Sequence, residues 1–146
     1  MTRKPADWLR AVEAAAGLLA MRVGVAVLPL RVVATILRLT LVPPLLPLPS
    51  GDEPGVGRES CCSQARLVGQ AIERAARWLP VHTRCLHQAL AGVLMLRWRR
   101  LPALVVFGVC KRNEMLRAHA WLLSGVTPVV GWREQAGFTP LAGMKT

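Results

Sequence analysis

The spacing of apolar residues changes near Arg100, and this change limits the chain to one fold class. Residues 63–79 place apolar side chains at the 3, 4 and 7 spacing of a buried helical stripe, and residues 83–97 repeat that pattern. Three short apolar runs typical of strands follow, at 103–109, 118–123 and 127–130. Because helices come first and strands after them, we predict an α+β fold with helices packed on a small antiparallel sheet.

The N-terminal region is strongly apolar, but its arginines argue against a membrane span. Three of them divide residues 11–49 into apolar pieces of 6 to 11 residues: Arg22, Arg31 and Arg38. A transmembrane helix needs about 20 apolar residues, and Pro29 interrupts any single long helix. We therefore expect two short helices, at about 6–28 and 30–41. Their apolar surfaces would pack on the rest of the protein or contact a membrane or another protein.

Composition divides the chain into three parts. Residues 1–42 are the apolar helical segment, and the Pro/Gly-rich residues 43–59 form a linker because they cannot continue a helix. Residues 60–146 form the working domain. The N-terminus lacks the single clean apolar stretch of a secretory signal, so we expect a cytoplasmic protein with free cysteines. Peripheral contact with a membrane through residues 6–42 remains an alternative.

Positive charge is concentrated in the working domain. The chain has a formal net charge of +11, and residues 60–146 hold twelve basic and three acidic residues. Such a field attracts nucleic acid, anionic lipid or an acidic polypeptide. Nucleic-acid modules usually add stacking aromatic side chains, whereas this chain has no Tyr and only two Phe. We therefore expect no nucleic-acid partner.

A cysteine and a histidine form the candidate reactive pair. Thr83 is a suitable helix N-cap, which would put Cys85 in the first turn of the second helix of the working domain. The positive end of a helix favours a thiolate there, and the free N–H groups of Cys85 and Leu86 can donate to an oxyanion. His119, on a later strand, would supply the base.

Other interpretations of these residues stay open. Cys85 could be a small buried side chain and His119 a satisfied sheet residue. A zinc site built from His82, Cys85 and His87 is a further alternative, although the chain has no Cys-x-x-Cys spacing. We expect no metal and no cofactor. The remaining cysteines are expected to play no chemical role: Cys61, Cys62 and Cys110.

Short strings within residues 64–141 occur in an order and at spacings that match a known family. They are Ala75–Pro80, Arg84–Leu86, Gln88–Leu90, Pro102–Ala103, Val106–Val109, Ala118–Trp121 and Phe138–Leu141. This combination resembles the lasso-peptide leader peptidases, which are transglutaminase-like cysteine proteases of bacterial lasso-peptide gene clusters. The resemblance implies a transglutaminase/papain-like core of helices on a small antiparallel sheet, preceded here by the apolar N-terminal helices.

The resemblance also implies an activity, site residues and partners. Cys85 would attack the last carbonyl of the leader in a ribosomally made precursor peptide, and His119 would act as general base and acid. Backbone N–H groups of Cys85 and Leu86 would hold the oxyanion, while Trp121 and Gln88 would line the substrate groove. The implied partners are the precursor peptide, a separate RiPP recognition protein, and an ATP-dependent lasso cyclase that acts afterwards.

One departure from the family pattern concerns the third catalytic residue. The family usually has an Asp about a dozen residues after the histidine, but this chain has no Asp after Asp52. Gly131 and Trp132 occupy the expected place. Glu134 could replace the Asp, or an amide such as Gln135 could orient the imidazole. If neither does, the alternative is a weak or inactive relative, a basic scaffold of the same pathway that binds a partner or a membrane.

Overall fold

The computed structural model describes residues 5–42, 58–79 and 84–146. Residues 43–57 of the predicted linker lie outside these ranges, and so do His82 and Thr83. The last two residues of the predicted linker, 58 and 59, belong to a helix.

The described residues form four helices and five strands. The helices are α1 (Pro5–Val27), α2 (Leu30–Ile36), α3 (Arg58–Trp78) and α4 (Cys85–Trp98). The strands are β1 (Thr40–Val42), β2 (Leu104–Arg112), β3 (Met115–Ser124), β4 (Thr127–Val130) and β5 (Thr139–Lys145). The α+β prediction is confirmed: helices pack on an antiparallel sheet with the order β1-β5-β2-β3-β4.

The sheet is built around two tight hairpins. Between β2 and β3, Asn113 and Glu114 both have positive φ, of 51° and 61°, which is the geometry of a type I′ turn. Between β3 and β4, Ser124 pairs with Thr127. The turn therefore consists of Gly125 and the following valine. Both turns match the twist of the strands, so they fix the register that carries the site.

The end of α2 differs from the prediction. The helix stops at Ile36 rather than near residue 41, because Arg38 takes a left-handed conformation with φ 51°. Its N–H bonds to the carbonyl of Thr35, and the N–H of Leu39 bonds to the carbonyl of Ala34, which is a Schellman motif. The chain then turns into β1, which pairs with β5 at the sheet edge.

The core lies between the helices and one face of the sheet. Its largest fully buried side chains on the helices include Leu18 of α1, Ile72 of α3 and Leu90 of α4, which belong to the same cluster as Leu122 of β3. Each such leucine contributes about 1.5–3 kcal/mol through burial. The opposite face of the sheet has its own small cluster of Val106, Trp121 and Leu123. The sheet is therefore covered on both faces near the end of β3.

An ion pair ties α1 to the C-terminal end of α4. Both guanidinium nitrogens of Arg99 donate to the carboxylate of Glu13 at 2.6 Å, and Arg99 also donates to the carbonyl of Met95 at 2.8 Å. Donating these hydrogen bonds to Glu13 raises the pKa of Arg99. Because α1 shares the core with α3 and α4, it supports the helix that begins at Cys85. Among the helices of the described residues, none is long and apolar enough to cross a membrane.

Candidate active site

Cys85 is the first residue of α4. The N-cap is Arg84, with extended φ −73° and ψ 161°, so the helix begins one residue later than a Thr83 cap would give. The side chain of Cys85 is half-buried against the core below the sheet. As the first two residues of the helix, Cys85 and Leu86 have N–H groups with no acceptor inside α4. These groups form the positive end of the helix, where a negative charge is stabilised.

His87 closes the first turn of α4. The N–H of Arg84 donates to its Nδ1 at 3.1 Å, which is the position that Glu or Gln takes in a capping box. Burial lowers the pKa of His87, and the charges of Arg22 and Arg84 lower it further. A neutral His87 keeps Nδ1 as an acceptor, so it holds the turn on which Cys85 sits.

His119 is held on β3 by aromatic side chains. Its ring stacks on Trp121, with centroids 5.9 Å apart and an interplanar angle of 28°, and its centroid lies 5.2 Å from that of Phe138. The residue paired with His119 on β2 is Gly108. A Cβ at Gly108 would lie 2.8 Å from the Trp121 ring. The glycine therefore makes room for the indole that supports the imidazole.

A backbone carbonyl orients the imidazole. The Nε2 of His119 lies 2.8 Å from the carbonyl oxygen of Gly131, which is 12 residues further along the chain. Because a carbonyl only accepts, Nε2 carries the hydrogen and Nδ1 is left as the basic nitrogen. Gly131 directly follows β4 and has φ 73°, a left-handed conformation that favours glycine.

Glu134 does not take the role predicted for it. It is exposed, and within the described part of the chain it forms no hydrogen bond or ion pair with His119. The reason is the turn at Gly131, which brings a carbonyl to Nε2 before the chain reaches any carboxylate. Gln135 is also not the partner, because Nε2 of His119 bonds to the carbonyl of Gly131 instead. The sequence pattern predicts that a side chain orients His119, whereas the structure uses a backbone carbonyl. The one feature of the sequence that indicates this carbonyl is a glycine, Gly131, at the expected spacing after the histidine.

Cys85 and His119 line the same cavity, of about 180 Å³. Its walls are mostly apolar and come from α4, β2, β3 and β5; they include Leu86, Phe107 and Leu141. The imidazole points to the face of β3 that Trp121 occupies, whereas Cys85 packs on the helix side of the sheet. His119 therefore borders the small cavity through its backbone, and no hydrogen bond joins its ring to the sulfur of Cys85 in the described structure.

The two residues predicted for the substrate groove do not line this cavity. Trp121 is fully buried behind His119, so its expected role as a groove wall is wrong. The second face of the sheet has its own apolar cluster, and Trp121 fills it. Gln88 is half-buried one turn along α4 from Cys85 and is not among the residues that line the cavity.

A second, larger cavity lies on the other face of β3, against the imidazole of His119. Its volume is about 650 Å³, and its lining includes four cationic side chains and the carboxylate of Glu134. The cations are Lys111, Arg112, Arg117 and Arg133. The sequence showed that residues 60–146 are basic but not that these four would meet beside the histidine.

None of the other cysteines lines the small cavity at Cys85. Cys61 is exposed near the start of α3, and the Sγ of Cys62 accepts a hydrogen bond from the Thr127 hydroxyl at 3.0 Å. Cys110 is half-buried and contributes to the larger cavity. Among the residues with a described placement, which exclude His82, no three His, Cys, Asp or Glu side chains are grouped to hold a metal ion.

Comparison with known proteins gives one match. A family model described as Transglutaminase-like superfamily matches residues 24–143. No curated protein and no solved structure matches the chain. The matched range includes α2, α3, α4 and both members of the Cys85–His119 pair.

Proposed function

The chain belongs to the transglutaminase-like superfamily, which includes cysteine peptidases, and from this premise we propose that Cys85 and His119 are its nucleophile and its base. The observation that carries the proposal is the shared cavity at the N-terminus of α4. It holds a thiol and two N–H groups without helical acceptors, and the strand that borders it carries on its other face an imidazole whose Nε2 donates to Gly131 and whose Nδ1 is left as the acceptor. These are the parts that acyl transfer needs.

In the proposed reaction, Nδ1 of His119 takes the proton of the Cys85 thiol. The thiolate attacks the peptide carbonyl, and the resulting oxyanion accepts hydrogen bonds from the N–H groups of Cys85 and Leu86. The imidazolium then gives its proton to the leaving amine, and an acyl-enzyme remains. Water, deprotonated by His119, hydrolyses the thioester and regenerates the thiol. In the free protein the imidazole lies on the Trp121 face of β3, so the proposed reaction requires the ring to turn toward Cys85 as substrate fills the site, the stage at which catalytic hydrogen bonds often form.

The carbonyl of Gly131 supports this mechanism in place of a carboxylate. It holds the ring and selects the tautomer, which are two of the roles of the acidic member of a triad. It carries no full charge, so it stabilises the imidazolium less than an Asp would. Thiols in general tolerate this loss better than hydroxyls, because a free cysteine thiol, with an ordinary pKa of about 8.5, is already partly ionised near neutral pH.

The proposed substrate is the leader segment of a lasso precursor peptide. The support is the family resemblance of the strings around Cys85 and His119, together with a cavity far smaller than the about 300–1,000 Å³ of a small-molecule pocket. A cavity of about 180 Å³ suits a single residue of an extended peptide. A separate recognition protein would present the leader, and an ATP-dependent cyclase would use the released core.

The decisive experiment follows leader release by mass spectrometry, with protein, precursor and recognition protein mixed. We expect Cys85→Ala to abolish release and His119→Ala to reduce it by about 10²–10⁴-fold. Cys61→Ala is the matched control, because Cys61 is exposed and distant from the cavity; it should leave the rate unchanged. Full cleavage by Cys85→Ala would overturn the proposal.

A second candidate function, docking of a partner, is favoured by an apolar stripe on α1. The stripe follows a spacing of 4, 4, 3, 4 and 4 residues and is exposed: Trp8, Val12, Ala16, Leu19, Val23 and Val27. Val23 and Val27 are 62% and 73% exposed. Contiguous apolar surface of this kind usually binds protein or membrane, and we propose that it binds the recognition protein.

This candidate is tested by Val23→Glu, with Gln70→Glu on the exposed side of α3 as control. A recognition protein that binds the stripe should bind the Val23→Glu variant at least ten-fold more weakly and the control normally. Equal binding by both variants would contradict docking through α1. If Val23→Glu instead releases the protein from anionic vesicles, the surface contacts a membrane.

A further inference from the structure

The larger cavity beside His119 has a strong excess of positive charge. Four cationic side chains and one carboxylate line its volume of about 650 Å³. Lys111 pairs with Glu114 at 2.9 Å. In the described structure, the side chains of Arg112, Arg117 and Arg133 form no ion pair or hydrogen bond, and all three are exposed.

These arginines converge from three parts of the fold. Arg117 lies two residues before His119 on β3, so their side chains leave the same face of the sheet. Arg112 pairs with Met115 in the β2–β3 hairpin and shares that face. Arg133 comes from the connection between β4 and β5. The cations therefore do not lie along one exposed face of a helix. The β2–β3 hairpin and the β4–β5 connection bring them together.

A cavity with this excess of positive charge should bind an anion rather than hold only solvent. Like charges around one cavity repel each other, and Glu134 is the carboxylate in the lining that offsets them. A cleft lined by one sign of charge focuses its field and raises the local concentration of opposite charge. Guanidinium groups match carboxylates in a bidentate geometry. The cavity therefore fits acidic side chains.

The position of His119 determines which part of a peptide reaches the arginines. The imidazole of His119 faces the larger cavity with the arginines, and the backbone of β3 at His119 borders the smaller cavity that holds Cys85. In the proposed function, on which this inference rests, the imidazole protonates the leaving amine, so the segment after the scissile bond lies on the His119 side. We propose that the larger cavity binds Asp or Glu side chains located shortly after the scissile bond.

The expected number of residues between the scissile bond and the acidic side chains follows from strand geometry. A strand rises about 3.4 Å per residue, so Arg117 lies about 7 Å from His119 along β3 and the hairpin end lies about 14 Å away. An extended peptide covers that distance in about two to four residues. Acidic side chains should therefore act within about the first five residues after the cleaved bond.

An acidic peptide suits the lining better than a nucleic acid. Sequence-tolerant binding of single strands depends on free aromatic rings on which bases stack. The rings in this lining are His119 and Phe138, and they already contact each other, with centroids 5.2 Å apart. Ala136 and Gly137 complete the lining near them without a ring.

The first experiment measures binding apart from cleavage. Fluorescein-labelled hexaglutamate and hexaglutamine are titrated with the full chain at low salt, and fluorescence anisotropy is followed. We expect hexaglutamate to bind at least ten-fold more tightly, with a large loss at 1 M salt, where screening acts within about 3 Å. Arg117→Gln and Arg133→Gln should each weaken binding about three- to ten-fold, whereas Arg74→Gln, exposed on α3, should not.

Three outcomes would overturn the inference: equal binding of the two peptides, equal weakening by Arg74→Gln, or equal arginine-dependent binding of a labelled hexathymidylate. The last would assign the cavity to nucleic acid. Circular dichroism of each variant shows whether it is folded, and the charge-swap variant Arg117→Glu should weaken the binding of hexaglutamate more than Arg117→Gln does.

The second experiment links the cavity to cleavage. Acidic residues within the first five positions after the cleavage site of the precursor are changed to their amides. We expect kcat/KM to fall at least five-fold in the unmodified protein and to change little in Arg117→Gln. If cleavage depends on Cys85 but ignores these changes, the inference fails and the proposed function stands. If no cleavage depends on Cys85, the proposed function fails, and the binding titration still decides whether the cavity takes acidic peptide.

Discussion

Helix α3 touches β4 at a glycine, and replacing that glycine should cost stability. A Cβ at Gly69 would overlap the carbonyl oxygen of Val129 and lie 3.0 Å from its carbonyl carbon and 3.4 Å from its Cα. The obstructing atoms belong to backbone, so they cannot rotate away as a flexible side chain would. Gly69→Ala therefore forces α3 and β4 apart.

Two opposing terms set the size of the effect. Alanine is about 1 kcal/mol better than glycine in a helix interior, which favours the variant. Overpacking costs about 1–3 kcal/mol, and more where backbone must move. For a clash with a carbonyl we take the upper end, so Gly69→Ala should lower the free energy of unfolding by about 2 kcal/mol. At this chain length the melting temperature should fall by roughly 6–10 °C.

The assay is urea and thermal unfolding followed by circular dichroism, with Gly24→Ala as the matched control. Gly24 lies inside α1, and a Cβ there would have nothing within 4 Å, so this variant should gain up to about 1 kcal/mol. If Gly69→Ala is as stabilising as Gly24→Ala, the close approach of α3 and β4 is refuted. Because β4 leads directly into Gly131, Gly69→Ala should also slow cleavage at temperatures where it remains folded.

Four further predictions test other parts of the structure. Glu13→Gln should lower the free energy of unfolding by about 1–3 kcal/mol by breaking the paired hydrogen bonds to Arg99, measured in urea. Because the pKa of His87 is lowered by burial and by neighbouring charges, stability should be complete above pH 6.5 and fall as the pH drops below it; His87→Gln should flatten this profile in pH-dependent melts. Nitrogen-15 NMR should find His119 protonated at Nε2, and a proton on Nδ1 instead would contradict the bond to Gly131. Leu122→Ala should cost about 3–5 kcal/mol in the same urea titration, because the side chain is fully buried.

The sequence predicts the elements whose apolar spacing is local, and it misses those that depend on a distant partner. Helices α3 and α4 and strands β2 to β4 follow from periodicity and turn residues. Strand β5 contains Pro140 and Gly143 and has no clear alternation. It is a strand because it pairs with β2 on one side and β1 on the other. The end of α2 was missed for a similar reason, since a left-handed Arg38 carries no local signal.

The candidate site also has parts that the sequence predicts and parts that it does not. Cys85 and His119 are recognisable by residue type and by their places in a helix and a strand. Trp121 was misplaced because an apolar strand does not reveal whether its second face is covered, and here it is. The sequence does not predict the partner of the imidazole, because every residue has a main-chain carbonyl and the residue types do not show which one bonds to the ring. The cationic cavity depends on a hairpin and a connection meeting in space.

That main-chain oxygen has a consequence for how the protein can be altered or recognised. Every residue carries a carbonyl, so no substitution at position 131 deletes the group that steers the ring; only a change in the path of the chain moves it. Alanine scanning would therefore report two essential side chains, and a loss in Gly131→Ala would come from a displaced backbone rather than from a deleted group. A side chain at this position would strain the left-handed backbone and crowd the carbonyl of Ala120, so relatives that keep the bend after the fourth strand should keep the glycine.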